Sequence, residues 1–290
     1  MKILIYGING WLGSIIKKYL EDDVDNKIEI IEATARGDNL SAVSAELELH
    51  QPTHVLCALG RTHGKEINTI DYLEAKDKLY ENLRDNLFAP YLIANESASR
   101  NIHYTYIGSG CIFSDDMLAE THKKYTEDDD ADFFGSAYST VKGFTDKLMR
   151  LDQINILNIR IRMPIIYEDN PRNFITKILK YEHICSIPNS MTVIPTLLPI
   201  LKDLMIKKHQ GTINLCNPGV ISHEEILEMY KDIVNKDITW KTFTIEEQNK
   251  ILAAQRSNNE LDTTKISTLY PDVPNIKDAM KECMINMSKI

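Results

Sequence analysis

Tyr138 and Lys142 stand four positions apart in Tyr-Ser-Thr-Val-Lys, a spacing that puts both side chains on one face of a helix. An ammonium beside a phenol favours the phenolate. Tyr138 is therefore suited to protonate a carbonyl oxygen during a reduction, with Lys142 supporting it and reaching a cofactor ribose. Upstream, an apolar run ends in Tyr106-Ile107-Gly108-Ser109-Gly110-Cys111. Ser109 supplies a further hydrogen bond to the same substrate oxygen. A Tyr-x-x-x-Lys string alone is common, and its weight comes from following a strand.

A second motif supplies the cofactor. Gly7-Ile8-Asn9-Gly10-Trp11-Leu12-Gly13 is a Gly-x-x-Gly-x-x-Gly loop directly after the first apolar run. Gly7 permits the turn, Gly10 lets backbone approach a pyrophosphate, and Gly13 lets a helix pack on the sheet. The amides of that helix's first turn favour an anion. Gly7, Asn9, Gly10, Trp11, Leu12 and Gly13 are accordingly the expected dinucleotide contacts. The next strand ends in Glu32-Ala33-Thr34-Ala35-Arg36. Glu32 would suit the ribose of NAD, whereas the planar fork of Arg36 suits a 2′-phosphate, so the expected cofactor is NADP(H).

These residues need a scaffold. Short apolar runs at 2–6, 28–33, 54–59, 103–107, 156–161 and 212–216 read as strands. Helical patterns at 72–85, 91–99 and 138–151 lie between them, with Pro90 at the first turn of the second. Strands alternating with helices predict an α/β fold with a doubly wound, Rossmann-type parallel sheet. The expected dinucleotide-binding domain covers 1–165, with 192–217 returning to it. Most of 166–290 is expected to form a smaller, mainly helical substrate domain. Two capping boxes, Ser222–Glu225 and Thr244–Glu247, open helices there. The acidic stretch Glu127–Asp132 reads as a solvated loop.

Composition narrows the class. The chain has 290 residues, 43% of them hydrophobic, enough for one large domain or two joined ones. A net charge of -9 argues against a nucleic-acid partner. Five scattered cysteines without a Cys-x-x-Cys pair argue against a disulfide framework and a zinc site, and for a reducing, cytoplasmic setting. No apolar run approaches the roughly 20 residues of a membrane helix.

The Gly-rich loop, Ser109 and the Tyr138/Lys142 pair together resemble the extended short-chain dehydrogenase/reductases, which implies that Ser109, Tyr138 and Lys142 form a catalytic triad. The second half sharpens the resemblance. Arg162-Met163-Pro164, Asn170-Pro171-Arg172-Asn173-Phe174-Ile175-Thr176-Lys177, Ile187-Pro188-Asn189-Ser190-Met191-Thr192, the segment from Asn217 to Tyr230, and Arg256-Ser257-Asn258-Asn259-Glu260-Leu261-Asp262 closely resemble the plant-type nucleotide-rhamnose synthases. Those enzymes convert UDP-4-keto-6-deoxy-glucose to UDP-L-rhamnose with NADPH. The resemblance implies that Cys111 and Lys177 are the epimerase pair, with the roles of base and acid left open. It implies that Arg256 meets the diphosphate and that Asn173 contacts sugar or diphosphate. A homodimer and a UDP-sugar substrate made by a separate 4,6-dehydratase are also implied. The glycine-rich loop of the plant pattern is replaced here by Ser114–Glu120, which has no glycine. Two alternatives stand beside this reading: a dTDP-4-dehydrorhamnose-type 4-keto-reductase without epimerase activity, and a non-catalytic, NADP-binding regulatory subunit.

Overall fold

The computed structural model describes residues 1–23, 27–151 and 154–290. Its main sheet contains β1 (Lys2–Tyr6), β2 (Glu29–Glu32), β3 (His54–Cys57), β4 (His103–Ser109), β5 (Ile156–Ile161) and β6 (Gly211–Asn214), in the order β6-β5-β4-β3-β1-β2. β1 pairs in parallel with β2 and β3, and β3 with β4. β3, β4 and β5 are buried throughout, as strands covered on both faces are, and their polar residues His54, His103, Thr105, Asn158 and Arg160 are buried with them. The expected doubly wound α/β sheet is present. Its order reverses between β1 and β3, and open α/β sheets bind ligands beyond the strand ends at such a point. Gly7 follows β1 there, and Ala58 follows β3.

Helices α1 (Trp11–Glu21), α2 (Leu40–His50), α3 (Leu79–Leu83), α4 (Ala89–Ala98) and α5 (Ala137–Leu151) accompany these strands. Val43 and Leu47 of α2, Leu92 and Ile93 of α4, and Met149 of α5 join Leu4, Val55 and Tyr104 in one buried cluster.

Pro90 falls in the first turn of α4, as expected, but α4 does not begin from a loop, and Ile70–Glu74 is only a 3₁₀ turn. The helical backbone runs on from α3 through a π turn at Arg84–Phe88 into α4. Proline has no N–H to give to the carbonyl four residues back, which is that of Asn86, and its ring crowds that carbonyl. The wider π turn makes room, and the Asn86 carbonyl instead accepts the Thr145 hydroxyl of α5 at 2.7 Å.

The chain divides into two compact units. The first comprises residues 1–109, 137–160 and 198–213; the second comprises 110–136, 161–197 and 214–290. Residues 110–136 thus cluster with the second unit, not with the expected 1–165 domain. The cause is local bonding: the Gly110 amide donates to the Ile161 carbonyl at 2.9 Å, and residues 124–125 pair with 260–261.

The second unit carries α6 (Phe174–Ile178), the first residues of α7 (Ile194–Ile206), α8 (His223–Ile233), α9 (Ile245–Ile251), α10 (Thr264–Leu269) and α11 (Ile276–Met287). Ile175, Met191, Ile226, Ala279 and Met280 lie in its core. Both capping boxes form as expected. The acidic stretch is not simply solvated. Glu127 is buried and accepts the Asn214 amide at 3.1 Å, and Asp132 accepts the Tyr125 hydroxyl at 2.7 Å. Among the described residues no helix is long and apolar enough to cross a membrane.

β3 and β4 each open with a buried histidine. The His54 and His103 rings meet edge to face at 5.2 Å, and their Nε2 atoms bond the carbonyls of Met205 and His209. Burial lowers both pKa values, that of His54 to about 4, with smaller contributions from His103, Lys208 and the N-terminus. Both rings are therefore neutral when folded, while the unfolded chain takes up protons near pH 6.5. Stability is full above that pH and falls toward pH 4, by on the order of 3 kcal/mol for His54. Urea midpoints should drop between pH 6.5 and 4.5, and by clearly less in His54→Asn. An equal drop in that variant would remove His54 as the cause.

Candidate active site

The glycine loop is built by backbone contact. Gly7 has φ +80°, and a Cβ there would lie 3.0 Å from the carbonyl group of Ala58. A Cβ on Gly13 would fall 2.1 Å from the Gly7 oxygen, and one on Gly10 3.1 Å from it. Gly10 caps α1 without a side chain, leaving the approach to the first-turn amides uncovered. The buried Trp11 indole N–H meets no acceptor among the described residues. A close backbone approach, a helix N-terminus and an unanswered donor suit the diphosphate of a dinucleotide.

Glu46 of α2 shapes the neighbouring turn. Its carboxylate accepts the Thr34 amide at 2.6 Å, the Thr34 hydroxyl at 2.9 Å and the Ala35 amide at 3.0 Å. That clamp presents Arg36 to solvent, with its side chain 68% exposed and paired with Asp38 at 3.0 Å. Arg36, Asp38, Asn39, Ser41 and Ser44 line a shallow depression. Glu32 accepts the Asn9 amide at 2.5 Å, so its carboxylate ties the end of β2 to the glycine loop.

Ser109, buried, ends β4. Tyr138 and Lys142 lie one turn apart on α5, Tyr138 half-buried and Lys142 buried. The Lys142 ammonium donates to the Tyr106 hydroxyl and lies 4.6 Å from that ring's centre. Burial holds the Tyr106 phenol protonated far above its ordinary range. A neutral phenol leaves the Lys142 charge undiminished, and such a charge favours phenolate at a second tyrosine. All these residues belong to the first unit.

The second unit holds the others. Cys111 is half-buried, one residue beyond Gly110. Lys177 lies in α6 and is half-buried. Its pKa is lowered, first by desolvation and then by the charges of Arg172 and Arg256, so at a given pH more of it is neutral amine than for an exposed lysine. The Arg256 guanidinium donates to the Ala254 carbonyl at 2.7 Å.

Asn173 is not placed to contact substrate. It is fully buried, and its amide group donates to the carbonyls of Ile166 at 2.8 Å and Glu168 at 3.0 Å, while its oxygen accepts the Ile166 amide. It braces the loop before α6. The glycine-free segment after Cys111 is shaped by carboxylates: Asp115 accepts the Lys123 amide at 2.5 Å, and Asp116 accepts that of Leu118 at 3.1 Å.

Several supporting residues escaped the sequence reading. Asn86 bonds both backbone groups of Arg61, each at 2.9 Å, and so shapes the loop after β3. Ser257 and Asn259 both donate to the Phe113 carbonyl, at 2.5 and 2.8 Å. Arg162 is buried beside Gly110. A signal for Arg162 existed, since two arginines in the strand-like run Ile-Arg-Ile-Arg-Met-Pro are unusual unless both are bonded inside.

No family model matches the chain. Its relatives are nevertheless specific. It is 47% identical over 288 residues, 99% of each chain, to protein L780 of Acanthamoeba polyphaga mimivirus. The crystal structure of that protein, described as a UDP-rhamnose synthase, superposes with a TM-score of 0.95 over 99% of each chain. The bifunctional dTDP-4-dehydrorhamnose 3,5-epimerase/dTDP-4-dehydrorhamnose reductase of Arabidopsis thaliana is 37% identical, over 99% of this chain and 93% of that protein. A dTDP-4-dehydrorhamnose reductase from Clostridium acetobutylicum shares the fold at 20% identity, with a TM-score of 0.81 over the full length of both chains. With full-length identities of 37% and 47%, the chain belongs to the family of rhamnose-forming nucleotide-sugar 3,5-epimerase/4-reductases.

Proposed function

We propose that this chain epimerises C3 and C5 of UDP-4-keto-6-deoxy-D-glucose and reduces C4, releasing UDP-L-rhamnose. The observation that carries the reading is Lys177. A half-buried lysine made less basic by desolvation and two guanidiniums is suited to exchange protons with a carbon acid, and an ordinary surface lysine is not.

The ketone at C4 acidifies the protons on C3 and C5. Cys111 and Lys177 withdraw and return protons on opposite faces, which inverts each carbon through an enolate. Tyr138 then gives its proton to the C4 oxygen. Ser109 holds that oxygen by hydrogen bond, and Lys142 stabilises the phenolate left behind. Arg256 binds the diphosphate through charge-assisted bonds. NADPH, when bound, supplies the hydride for C4. Gly7, Asn9, Gly10, Trp11, Leu12 and Gly13 hold its pyrophosphate, and Arg36 its 2′-phosphate.

A separate 4,6-dehydratase supplies the substrate. The enzyme works in the cytoplasm, and among the described residues its five cysteines form no disulfide. It is a homodimer in this reading, supported by the exposed Tyr80, Leu83, Phe88, Tyr91 and Phe144 on the helices of the first unit. Sedimentation should give twice the chain mass, and a monomer would remove that part.

The ketosugar incubated with enzyme and NADPH in heavy water should give rhamnose with deuterium at C3 and C5. A reduced product with protium at both carbons would leave a plain 4-keto-reductase. Lys177→Met should slow exchange by about a hundredfold or more, while an already epimerised 4-keto-rhamnose nucleotide is still reduced. Unchanged exchange would take Lys177 out of the mechanism. Arg36→Ala should raise KM for NADPH about tenfold, the worth of one charge-assisted bond, with little effect on NADH. Equal effects on both cofactors would assign Arg36 a structural role.

A further inference from the structure

Arg162 is 1% exposed, and among the described residues all its side-chain hydrogen-bond partners are uncharged. Its Nε donates to the Ser190 carbonyl at 3.3 Å. One terminal nitrogen donates to the Gly110 carbonyl at 3.1 Å and the Ser257 hydroxyl at 3.0 Å. The other donates to the Asn189 amide oxygen at 2.5 Å and the Ser257 carbonyl at 3.1 Å. A guanidinium has five N–H groups, so each is answered.

The aliphatic stem is fixed as well. A Cβ on Gly110 would lie 3.0 Å from the Arg162 Cγ, 3.3 Å from its Cδ and 2.6 Å from a Leu261 methyl. Residue 110 is therefore held against the arginine with no room for a side chain. Asn259 gives the same Gly110 carbonyl a second donor at 3.1 Å and bonds the Phe113 carbonyl at 2.8 Å. Ser257, itself held by Arg162, donates to that Phe113 carbonyl too. The Ile112 carbonyl accepts the amides of Asp132 and Phe133, both at 3.1 Å. Cys111 is thus bracketed by carbonyls that are tied down.

Taking a guanidinium out of water costs several kcal/mol, and packed apolar residues often serve stability better. What the arginine offers instead is five bonds at fixed angles from one rigid fork, where a lysine has only three donors. We infer that Arg162 is a positioning residue for the epimerase half of the reaction, holding the Gly110–Phe113 segment so that the Cys111 thiol keeps one place as protons come and go. This rests on the reading of Cys111 as an epimerase residue. Proton transfer at carbon is sensitive to such placement, since a misplacement of about 1 Å can cost a hundredfold. Reduction at C4 depends on Ser109, Tyr138 and Lys142, which lie outside the held segment.

The test uses the full-length enzyme with Arg162→Lys, Ser257→Ala and Cys111→Ala. Deuterium uptake from heavy water at C3 and C5 of UDP-4-keto-6-deoxy-glucose reports epimerisation. NADPH oxidation with UDP-4-keto-L-rhamnose reports reduction alone. Arg162→Lys and Ser257→Ala should slow deuterium uptake about tenfold to a hundredfold and lower the reduction rate far less. Alkylation of Cys111 by iodoacetamide, located by mass spectrometry, should change several-fold in both variants. Wild-type uptake in folded Arg162→Lys overturns the proposal, as does equal loss of both activities or an unchanged alkylation rate. If Arg162→Lys does not fold, Ser257→Ala decides by the same three readings. Wild-type uptake in Cys111→Ala instead overturns the reading of Cys111, and with it the basis for this role.

Discussion

Two buried arginines, Arg160 in β5 and Arg162 just after it, need partners inside the protein, and they find them by different means. Arg160 takes a carboxylate: its Nε and one terminal nitrogen grip Asp146 at 2.8 and 2.7 Å. Asp146 also accepts the Asn158 amide at 2.8 Å and pairs with Arg150 at 3.2 Å. Because Asp146 is on α5, this pair fixes the helix of Tyr138 and Lys142 to the sheet. Arg162 takes neutral acceptors and fixes the segment of Cys111. A bidentate ion pair gives one strong anchor in one direction, whereas five neutral bonds distribute the hold over three stretches of chain. The first suits a rigid helix. The second suits an irregular loop whose own backbone has no ladder to hold it.

The cofactor loop rests on a different physical basis, the exclusion of atoms. Gly7, Gly10 and Gly13 matter because a methyl group would collide with backbone that cannot move aside. The π turn before Pro90 is a related case. A missing N–H and a crowded ring release the Asn86 carbonyl to α5, while the Asn86 side chain, which also donates to the Asn82 oxygen at 2.8 Å, shapes the loop at Arg61. One proline therefore accounts for the widened turn and the tie between helices.

Features governed by neighbours in sequence were legible in the sequence. The glycine spacing, the Tyr138/Lys142 spacing and both capping boxes are set within a few residues, and all were readable. Features that depend on distant partners were not. Ser257 and Asn259 find Phe113 across more than 140 positions, and nothing local marks them. Asn173 was misjudged for the same reason. An asparagine before a helix can as well serve the backbone as a ligand, and only the three bonds to residues 166 and 168 decide between them. Glu127 looked solvated because its neighbours are acidic, yet a single distant amide, that of Asn214, draws it inside.

The place where the chain passes between its two units has a chemical consequence. The first unit ends its long N-terminal stretch at Ser109, and the second begins at Gly110. In the proposed reaction, the serine assigned to the C4 oxygen and the cysteine assigned to a neighbouring carbon are separated by that one glycine. Two residues of chain span at most roughly 7 Å, so the Cα atoms of Ser109 and Cys111 are no farther apart than that. A larger residue between them is excluded by Leu261 and the stem of Arg162. Joining reduction to epimerisation on one chain then needs no new scaffold. In the proposed reaction it rests on a cysteine one residue past the glycine, a lysine of weakened basicity in α6, and an arginine bonded to the short connecting segment.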